Sequence, residues 1–414
     1  MQLKNETTTK TNETGVGFLG MTRATRSGLL GLMCGLAVLG MTQAPARADS
    51  EVVLYSFTVA CGSEPNSSLV RDPAGNFYGT TQYGGRGAGN VYKLDTTGNC
   101  TALHNFTGGA DGGTPYGGVI RDSAGNFYGT TTAGGAAGKG VVYGLDAAGH
   151  EKVMYNFCSL AGCADGSTPG VGVIRDAKGN LYGTTFYGGS ANGGVVYKVD
   201  MAGQETVLYN FCSLPSCADG NIPGGMIPSP DGEFYGTTGS GGSGAENWGV
   251  VYKLDASGQE TVLYNFCSLP GCSDGADPVG VVRDSAGNLY GTTSNGGGVD
   301  GVVFKLDTAG QETVLHTFTG GADGGVPYGG VILDSAGNLY GTTYYGGINP
   351  DCSGCGVVYE MDTAGRETVL YSFDDGSTGG HPIAGVIRDS KGNLYGTAPT
   401  AEGSLGVVFE IKPN

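Results

Sequence analysis

Histidine and tryptophan are scarce in this chain, with four His and one Trp among 414 residues. His150 lies in a predicted turn, His104 and His316 replace a tyrosine that recurs in predicted strands, and His381 precedes Pro382. The pattern Gly-x-Ser-x-Gly occurs once, at residues 271–275, but no helical pattern follows it, so the nucleophile elbow of a serine hydrolase is not predicted. No His-Glu-x-x-His or P-loop motif occurs. The chain therefore lacks the sequence signatures of zinc proteases and P-loop enzymes. An enzyme on this chain would depend on carboxylates brought together from separate segments.

Basic residues are also few, since 21 Lys and Arg stand against 38 Asp and Glu for a formal net charge of −17. An acidic surface repels phosphate backbones and anionic lipid, so nucleic acid and anionic membrane are disfavoured as partners. Cations and neutral ligands remain compatible with this charge. Solubility outside the cell is an equally good explanation of it.

The longest apolar run, residues 28–41, is too short for a membrane-spanning helix. Arg23 and Arg26 precede it, and Ala46-Arg47-Ala48 follows. This pattern predicts a signal peptide over residues 1–48, cleaved before Asp49, and a secreted or periplasmic protein with no membrane span after cleavage. Cleavage removes five basic and two acidic residues, which leaves 16 basic and 36 acidic residues and a net charge of −20.

The chain is instead dominated by a repeat, Asp-x-x-Gly-Asn-x-Tyr-Gly-Thr, found six times, with a seventh, variant copy at Ser229-Pro-Asp-Gly-Glu-Phe-Tyr235. The seven copies follow one another at intervals of 50 to 55 residues. Asp and Gly-Asn favour a turn, and the flanking Val, Ile, Leu, Tyr and Thr favour strands, so each copy predicts a β-hairpin in which Asp is a turn residue. The tyrosines of the seven copies are Tyr78, Tyr128, Tyr182, Tyr235, Tyr290, Tyr340 and Tyr395.

Each repeat contains four predicted strands and no helical periodicity, so residues 49–414 are predicted to form one all-β domain, a seven-bladed β-propeller. In the strand 261–266, Val262, Tyr264 and Phe266 are predicted to share one face, with Leu263 on the other. The N-terminal strand 51–57 is the one missing from the last unit, 383–411. Its addition there would close a ring and remove two free sheet edges. An open β-solenoid is the rival, and it would need polar caps.

Ten cysteines follow the predicted signal peptide, and eight of them are close in sequence. Short spacing in an exported chain predicts local disulfides rather than a zinc site. Cys61 and Cys100 are left without an assigned partner. The predicted pairs are Cys158–Cys163, Cys212–Cys217, Cys267–Cys272 and Cys352–Cys355.

Residues 356–373 and 385–397 show the repeat at full length: Gly-Val-Val-Tyr-Glu-Met-Asp-Thr-Ala-Gly-Arg-Glu-Thr-Val-Leu-Tyr-Ser-Phe, then Gly-Val-Ile-Arg-Asp-Ser-Lys-Gly-Asn-Leu-Tyr-Gly-Thr. In this pattern the chain resembles the GloVer tandem repeat family of exported bacterial proteins over residues 51–411. The hairpin is more weakly similar to NHL-type propeller repeats. The resemblance implies a propeller-like fold and export, and it brings no established activity.

An Asp-Gly pair recurs in the loops that lead into the innermost predicted strands. A ring of carboxylates there could hold Ca²⁺ through oxygen ligands, but an Asp-Gly turn repeated by duplication is the favoured explanation of the pattern. The candidate calcium ligands are Asp111, Asp165, Asp219, Asp274 and Asp323, with Asp375 approximating a sixth.

Aromatic residues are expected on the same face, near the channel mouth. Rings beside carboxylates and amides suit stacking and hydrogen bonding to a sugar, with ordinary packing as the alternative explanation. Trp248 is the strongest candidate because it interrupts the repeat in an enlarged loop. The candidate ligand-binding residues are Trp248, Glu246, Asn247, Tyr83, Tyr187, Tyr345, Tyr116 and Tyr328.

These features predict a monomeric, secreted binding module for carbohydrate or another extracellular macromolecule. The alternative is an extracellular polysaccharide lyase, glycoside hydrolase or lactonase that uses carboxylates at the channel mouth. A third possibility is a structural platform for protein interactions.

Overall fold

The computed structural model describes residues 50–244, 246–298, 300–349, 354–374, 376–400 and 404–412. The predicted signal peptide lies outside this range. Across the described residues, no helix combines the length and hydropathy that crossing a bilayer would require. Regular structure consists of β-strands and three short 3-10 turns, Ala161–Cys163, Pro215–Cys217 and Pro270–Cys272.

The strands form seven four-stranded antiparallel sheets, as predicted for a seven-bladed propeller. Blade 1 comprises β2 (Val70–Arg71), β3 (Phe77–Thr81), β4 (Asn90–Leu94) and β5 (Cys100–Asn105). Blade 2 comprises β6 (Ile120–Arg121), β7 (Phe127–Thr131), β8 (Val141–Leu145) and β9 (Glu151–Asn156). Blade 3 comprises β10 (Ile174–Arg175), β11 (Leu181–Thr185), β12 (Val195–Val199) and β13 (Glu205–Asn210).

Blade 4 comprises β14 (Asn221–Pro228), β15 (Phe234–Ser240), β16 (Val250–Leu254) and β17 (Glu260–Asn265). Blade 5 comprises β18 (Ala276–Arg283), β19 (Leu289–Asn295), β20 (Val302–Leu306) and β21 (Glu312–Thr317). Blade 6 comprises β22 (Val331–Leu333), β23 (Leu339–Thr342), β24 (Val357–Met361) and β25 (Glu367–Ser372). Blade 7 comprises β26 (Ile387–Arg388), β27 (Leu394–Ala398), β28 (Val407–Lys412) and the N-terminal strand β1 (Ser50–Ser56).

Ring closure by the N-terminal strand is confirmed. Strand β1 pairs antiparallel with β28 as the outermost strand of blade 7. The Phe57 amide continues the ladder by donating to the Gly406 carbonyl oxygen at 2.8 Å. On the inner side, the Thr397 hydroxyl of blade 7 donates to the Ser67 carbonyl oxygen of blade 1 at 3.1 Å. Both ends of the propeller sequence are therefore fixed by hydrogen bonds.

The hydrophobic core lies between blades, in seven clusters that each join two neighbours. At each junction a Phe that follows an outermost strand packs edge to face on the aromatic ring of the third strand in the next blade, an arrangement favoured by the ring quadrupole. The pairs are Phe57–Tyr92, Phe106–Tyr143, Phe157–Tyr197, Phe211–Tyr252, Phe266–Phe304, Phe318–Tyr359 and Phe373–Phe409.

The glycine of the Tyr-Gly-Thr motif makes room for that third-strand ring. A Cβ on Gly183, in β11, would lie 2.4 Å from the hydroxyl oxygen of Tyr197 in β12. Tyr197 is fully buried. The repeated glycine is therefore a packing requirement of each blade.

The outermost strands carry a β-bulge, and because of it some side chains lie on the opposite face of the sheet from the one predicted. In blade 4, Val262 pairs with Tyr252 and Tyr264 pairs with Val251, so Leu263 is the extra residue. Val262 consequently packs toward blade 3, whereas Leu263 and Tyr264 pack toward blade 5. The predicted placement of Val262 on the same face as Tyr264 is wrong, because the bulge shifts the alternation by one residue.

The hairpin turns confirm the predicted role of the repeated Asp. In blade 6, one carboxylate oxygen of Asp334 accepts from the amides of Ala336 and Asn338, both at 2.9 Å. The other accepts from the Tyr340 hydroxyl at 3.2 Å and lies 3.8 Å from the Arg388 guanidinium of blade 7, which stacks over the Tyr340 ring. The motif thus closes its own turn and also joins neighbouring blades.

Candidate ligand-binding face

Two kinds of loop emerge on one face of the ring: those between the second and third strands of each blade, and those that lead from an outermost strand into the next innermost strand. The hairpin turns occupy the opposite face. We call these the loop face and the turn face. All candidate ligand and metal residues of the sequence analysis that the structure describes belong to the loop face.

A proline recurs in the loop that leads into each blade, and the residue before it has a positive φ of 54° to 58° in all seven blades, although none of the seven is glycine. Residues before proline normally avoid helical backbone conformations, and left-handed ones are rare outside glycine. Each of these residues donates its amide to a carbonyl in the preceding blade, at 2.7 to 3.0 Å. Contacts between blades therefore impose the conformation. The seven residues are Glu64, Thr114, Thr168, Ile222, Asp277, Val326 and His381.

Aromatic side chains of blades 6 and 7 form a continuous cluster on the loop face. The rings of Tyr328 and Tyr344 have centroids 5.5 Å apart, and those of Tyr344 and Tyr345 are 4.6 Å apart. The His381 ring lies 4.8 Å from Tyr344 and 5.8 Å from Tyr345. The His381 Nδ1 atom is 2.9 Å from the Tyr344 carbonyl oxygen, which fixes the imidazole against the cluster.

Tyr116 approaches this cluster from blade 2. Burial raises the pKa of Tyr116, and the nearby Tyr328 raises it further. The pKa of Tyr328 is raised by burial first, and then by Tyr345, Tyr344 and Asp277. The structure therefore brings two of the predicted residues, Tyr328 and Tyr345, into one aromatic cluster, and Tyr116 lies near enough to Tyr328 for its pKa to be affected.

A polar pair borders the aromatic cluster in blade 5. The side-chain amide of Asn295 donates to the Asp277 carboxylate at 2.6 Å. Partial burial raises the pKa of Asp277, and the bond from Asn295 offsets part of that effect. The Asp277 backbone amide donates to the Trp248 carbonyl oxygen at 3.0 Å, which connects the pair to blade 4.

Trp248 lies in the loop between β15 and β16 and is 36% exposed. Its indole nitrogen donates to the Glu246 carboxylate at 3.0 Å. The Asn247 carbonyl oxygen accepts from the Gly241 amide, so Asn247 supports the loop through its backbone. These contacts orient the indole while leaving part of its surface accessible.

Adjacent loops of blades 4 to 7 thus present a group of aromatic and polar side chains. We call it the loop-face sector, and it consists of Glu246, Trp248, Asp277, Asn295, Tyr328, Tyr344, Tyr345 and His381, with Tyr116 of blade 2 near Tyr328.

Tyr83 and Tyr187 occupy the same strand position as Tyr345 but in blades 1 and 3. Each forms an isolated bridge with the loop of its own blade. Across the described parts of the chain, no ring contact joins either side chain to the sector. The structure therefore separates these two predicted residues from the other aromatic candidates.

The five predicted calcium ligands lie in five separate loops, one per blade junction. Asp165, which is fully buried, accepts four hydrogen bonds, from the Ser159 amide and hydroxyl, the Leu160 amide and the Tyr155 hydroxyl, at 2.8 to 3.2 Å. Burial alone would raise the pKa of Asp165, but these bonds hold it below its ordinary value.

Asp219 and Asp274 are buried in the same way and accept the same four bonds. Asp111 and Asp323 accept bonds from Thr107 and Thr319. These carboxylates brace their loops, and Asp375 lies outside the described residues. Calcium binding stays a prediction, which melting curves with and without a chelator would test.

Within the described residues, the one group of three potential metal ligands is Glu246, Cys267 and Cys272. The two cysteines are joined in a disulfide, so their sulfur atoms are not free thiolates. The predicted pairs Cys158–Cys163 and Cys212–Cys217 are likewise confirmed. Cys355 is disulfide-bonded, and its predicted partner Cys352 lies outside the described residues.

Four residues of the sector were missed in the sequence: Tyr344, His381, Asp277 and Asn295. A position-by-position alignment of the repeats would not have singled them out, because the positions vary from blade to blade: blade 5 has Asp277 and Asn295 where blade 6 has Val326 and Tyr345. An alignment also could not show that the four residues lie close together, because they belong to different blades that become neighbours only when the propeller forms.

Two cavities open on the turn face. One, of about 380 Å³, lies between blades 6 and 7 and is lined by Tyr340, Glu360 and Arg388 among others. The second, of about 330 Å³, lies between blades 7 and 1 beside Arg71 and Tyr395. Their arginines already pair with aspartates of the preceding blade, at 3.8 and 3.7 Å, and stack on its tyrosines. Contacts between blades therefore explain the charged and aromatic side chains of the turn face. No comparable contacts account for the side chains of the loop-face sector among the described residues.

The family model for the Gloeobacter/Verrucomicrobia repeat matches residues 41–246 and 222–414. The chain belongs to the Gloeobacter/Verrucomicrobia repeat family. No curated protein matches it. Membership in this family and the disulfides between blades and within loops fit a secreted protein.

Solved structures with a similar fold are only distantly related in sequence. The extracellular domain of a protein assigned as a one-component system from B. thetaiotaomicron is 12% identical with a TM-score of 0.54, over 88% of this chain and 40% of that chain. A puromycin hydrolase is 12% identical with a TM-score of 0.53, over 89% of this chain and 54% of the hydrolase. The repeat protein thus spans about half or less of these chains, and the likeness shows the fold alone.

Proposed function

We propose that this repeat protein is an exported binding module that takes a neutral carbohydrate on the loop-face sector. The observation that carries the proposal is the hydrogen-bonded Asp277–Asn295 pair of blade 5, with exposed aromatic rings on the neighbouring loops of blades 4 and 6. Sugar rings stack on aromatic faces, and their hydroxyls exchange hydrogen bonds with carboxylates and amides.

Charge supports a neutral ligand. The chain has a formal net charge of −17, and Asp277 and Glu246 contribute two carboxylates to the sector. An anionic ligand would approach a negative surface and face these groups at short range. The hydroxyls of a neutral sugar supply the donors that carboxylates require.

A binding measurement on a glycan array tests the proposal. Tyr345→Ala removes an exposed ring from the aromatic cluster, and Trp248→Ala removes the ring in the blade 4 loop of the sector. Because truncation of an aromatic anchor in a binding site weakens binding by more than about 1 kcal/mol, we expect each variant to bind the recognised oligosaccharide at least about five-fold more weakly than wild type.

Tyr187→Ala provides the matched comparison. Tyr187 has the same strand position and is 45% exposed against 46% for Tyr345, but it lies in blade 3. We expect little change in affinity for this variant. Equal losses for Tyr187→Ala and Tyr345→Ala would contradict the assignment to the sector, and no bound glycan at all would favour a protein-interaction platform.

A carbohydrate-active enzyme is the second candidate, and Asp277 is the observation that favours it. Its carboxyl is half-buried with a raised pKa beside Tyr328, as a general acid requires. Product release from polysaccharides by the wild type, abolished in Asp277→Asn, would replace the binding proposal with a catalytic one.

We also propose that the chain acts outside the cytoplasm after removal of residues 1–48. The disulfides support this location, because they persist in oxidising compartments. N-terminal sequencing of the protein recovered from the culture medium or the periplasm tests the cleavage site. A mature chain that begins at Asp49 is the expected result.

A further inference from the structure

We propose that Asp277, oriented by Asn295, makes the sector selective for neutral sugars over uronic acids and other anionic sugars. This inference rests on the proposed function, since it names the ligand class of the same site. It concerns two residues that lie at variable positions of the repeat and are neighbours in space.

The pair occupies two loop-face positions that recur in every blade. Blade 6 has Val326 and Tyr345 there, and blade 1 has Glu64 and Tyr83. In blade 5 the first position is Asp277 and the second is Asn295, and their side chains form a hydrogen bond of 2.6 Å. Blade 5 therefore places a polar pair between the aromatic side chains of blades 4 and 6.

The hydrogen bonding of the pair determines what it can recognise. A carboxylate only accepts hydrogen bonds and has about four lone-pair directions. Asn295 uses one direction on a single Asp277 oxygen. The remaining directions suit ligand hydroxyls, which donate, and the Asn295 carbonyl oxygen adds another acceptor. A ligand carboxylate has no hydrogen to donate.

The backbone around Asp277 is fixed before any ligand arrives. The residue has a φ of 54°, its amide is bonded to the Trp248 carbonyl oxygen at 3.0 Å, and Pro278 follows it. A preorganised acceptor loses little freedom on binding, so its charge discriminates fully between ligands. Neighbouring Tyr328 contributes a neutral ring rather than a compensating cation.

The experiment compares neutral oligosaccharides with their C6-oxidised counterparts, which match them in length and linkage but carry carboxylates. An array presents gluco-, manno- and galacto-oligosaccharides in both forms. We expect wild type to bind at least one neutral oligosaccharide at least ten-fold more tightly than its oxidised form. In Asp277→Asn, which keeps the shape and removes the charge, we expect this ratio to fall at least five-fold.

Glu64→Gln is the control. Glu64 also precedes a proline, has the same φ of 54° and carries a carboxylate, but it lies in blade 1. It makes the same change in net charge, and we expect it to leave the ratio unchanged. Asn295→Ala provides a second variant that retains the charge, so it should weaken neutral binding while preserving the preference for the neutral form.

The outcomes separate the two proposals. If wild type binds neutral oligosaccharides and Asp277→Asn keeps the full preference, the role of Asp277 is overturned and the binding function stands. If Glu64→Gln lowers the ratio as much as Asp277→Asn, the selectivity comes from overall charge and the inference also fails. If wild type binds none of the neutral oligosaccharides, the proposed function fails and the inference falls with it.

Discussion

Cys61 and Cys100 form a disulfide across the junction between blade 7 and blade 1, with their Cα atoms 6.3 Å apart. Counted from the loop proline, Cys61 stands where other blades have an Asp such as Asp165. Cys100 stands where other blades begin their outermost strand with a Glu such as Glu205. A covalent bond thus replaces an acidic pair at the junction where the chain closes on itself.

Removal of this disulfide should destabilise the ring more than removal of a loop disulfide. Cys61 and Cys100 are separated by 39 positions, against 5 for Cys212 and Cys217. The chain-entropy model gives about 4 kcal/mol for the former and about 2 kcal/mol for the latter. We expect Cys61→Ser/Cys100→Ser to lower Tm clearly more than Cys212→Ser/Cys217→Ser in calorimetry. Equal decreases would contradict a special role in closure.

The acidic pairs at the other junctions predict an unusual pH dependence of stability. In five junctions the Glu that begins an outermost strand faces the loop Asp of the preceding blade. In the sixth junction Glu51 faces Asp374. In that loop the Asp and the Thr have exchanged positions, so Thr378 stands where the other loops have their Asp. Burial is the main cause that raises the pKa of each Glu to about 7, and the facing Asp raises it further. For Glu367, His316 has the second largest effect and lowers the pKa, while Asp323 has a smaller effect that raises it. The six are Glu51, Glu151, Glu205, Glu260, Glu312 and Glu367.

A carboxyl group with a raised pKa in the folded state holds its proton more firmly than in the unfolded chain. Its contribution to stability is complete below the unfolded value of about 4.5 and is lost as the pH rises through about 7. We therefore expect Tm to increase when the pH is lowered from 8 to 5. Glu205→Gln/Glu260→Gln should reduce this increase, whereas Glu64→Gln, at an exposed position, should not. A Tm that falls between pH 8 and 5 would refute the prediction.

The buried hydroxyl of Tyr197 leads us to expect that its removal does not destabilise the protein. This oxygen has no hydrogen-bond partner among the described residues, and blades 5 and 7 have Phe304 and Phe409 at the same position. Since an unpaired buried hydroxyl is unfavourable, Tyr197→Phe should leave the free energy of unfolding unchanged or raise it. The matched variant Tyr182→Phe removes a hydroxyl that donates to Asp176 and should cost about 1 kcal/mol in denaturant unfolding.

The third-strand rings also predict that the motif glycine cannot be replaced. Gly183→Ala would place a Cβ 2.4 Å from the Tyr197 hydroxyl oxygen and 2.7 Å from its ring carbon. Such overpacking costs about 1–3 kcal/mol, so the midpoint of urea unfolding should fall. Gly225→Ala is the control, because no atom lies within 4 Å of its added Cβ. A larger loss for Gly225→Ala than for Gly183→Ala would contradict this packing argument.

The sequence by itself determined the number of blades, the four strands of each blade, the closing strand and the loop disulfides. These features follow from local rules, since Asp334 closes its turn with its own neighbours Ala336 and Asn338. The order of strands along the repeat then leaves one place for the N-terminal strand.

Only the tertiary structure decided the rest. A bulge at Leu263 moved Val262 to the other face, and amide bonds between blades placed seven residues before proline at positive φ, against their local preference. The Cys61–Cys100 pair and the loop-face sector join segments from different blades. Ring closure sets these distances, and no spacing along a single repeat encodes them.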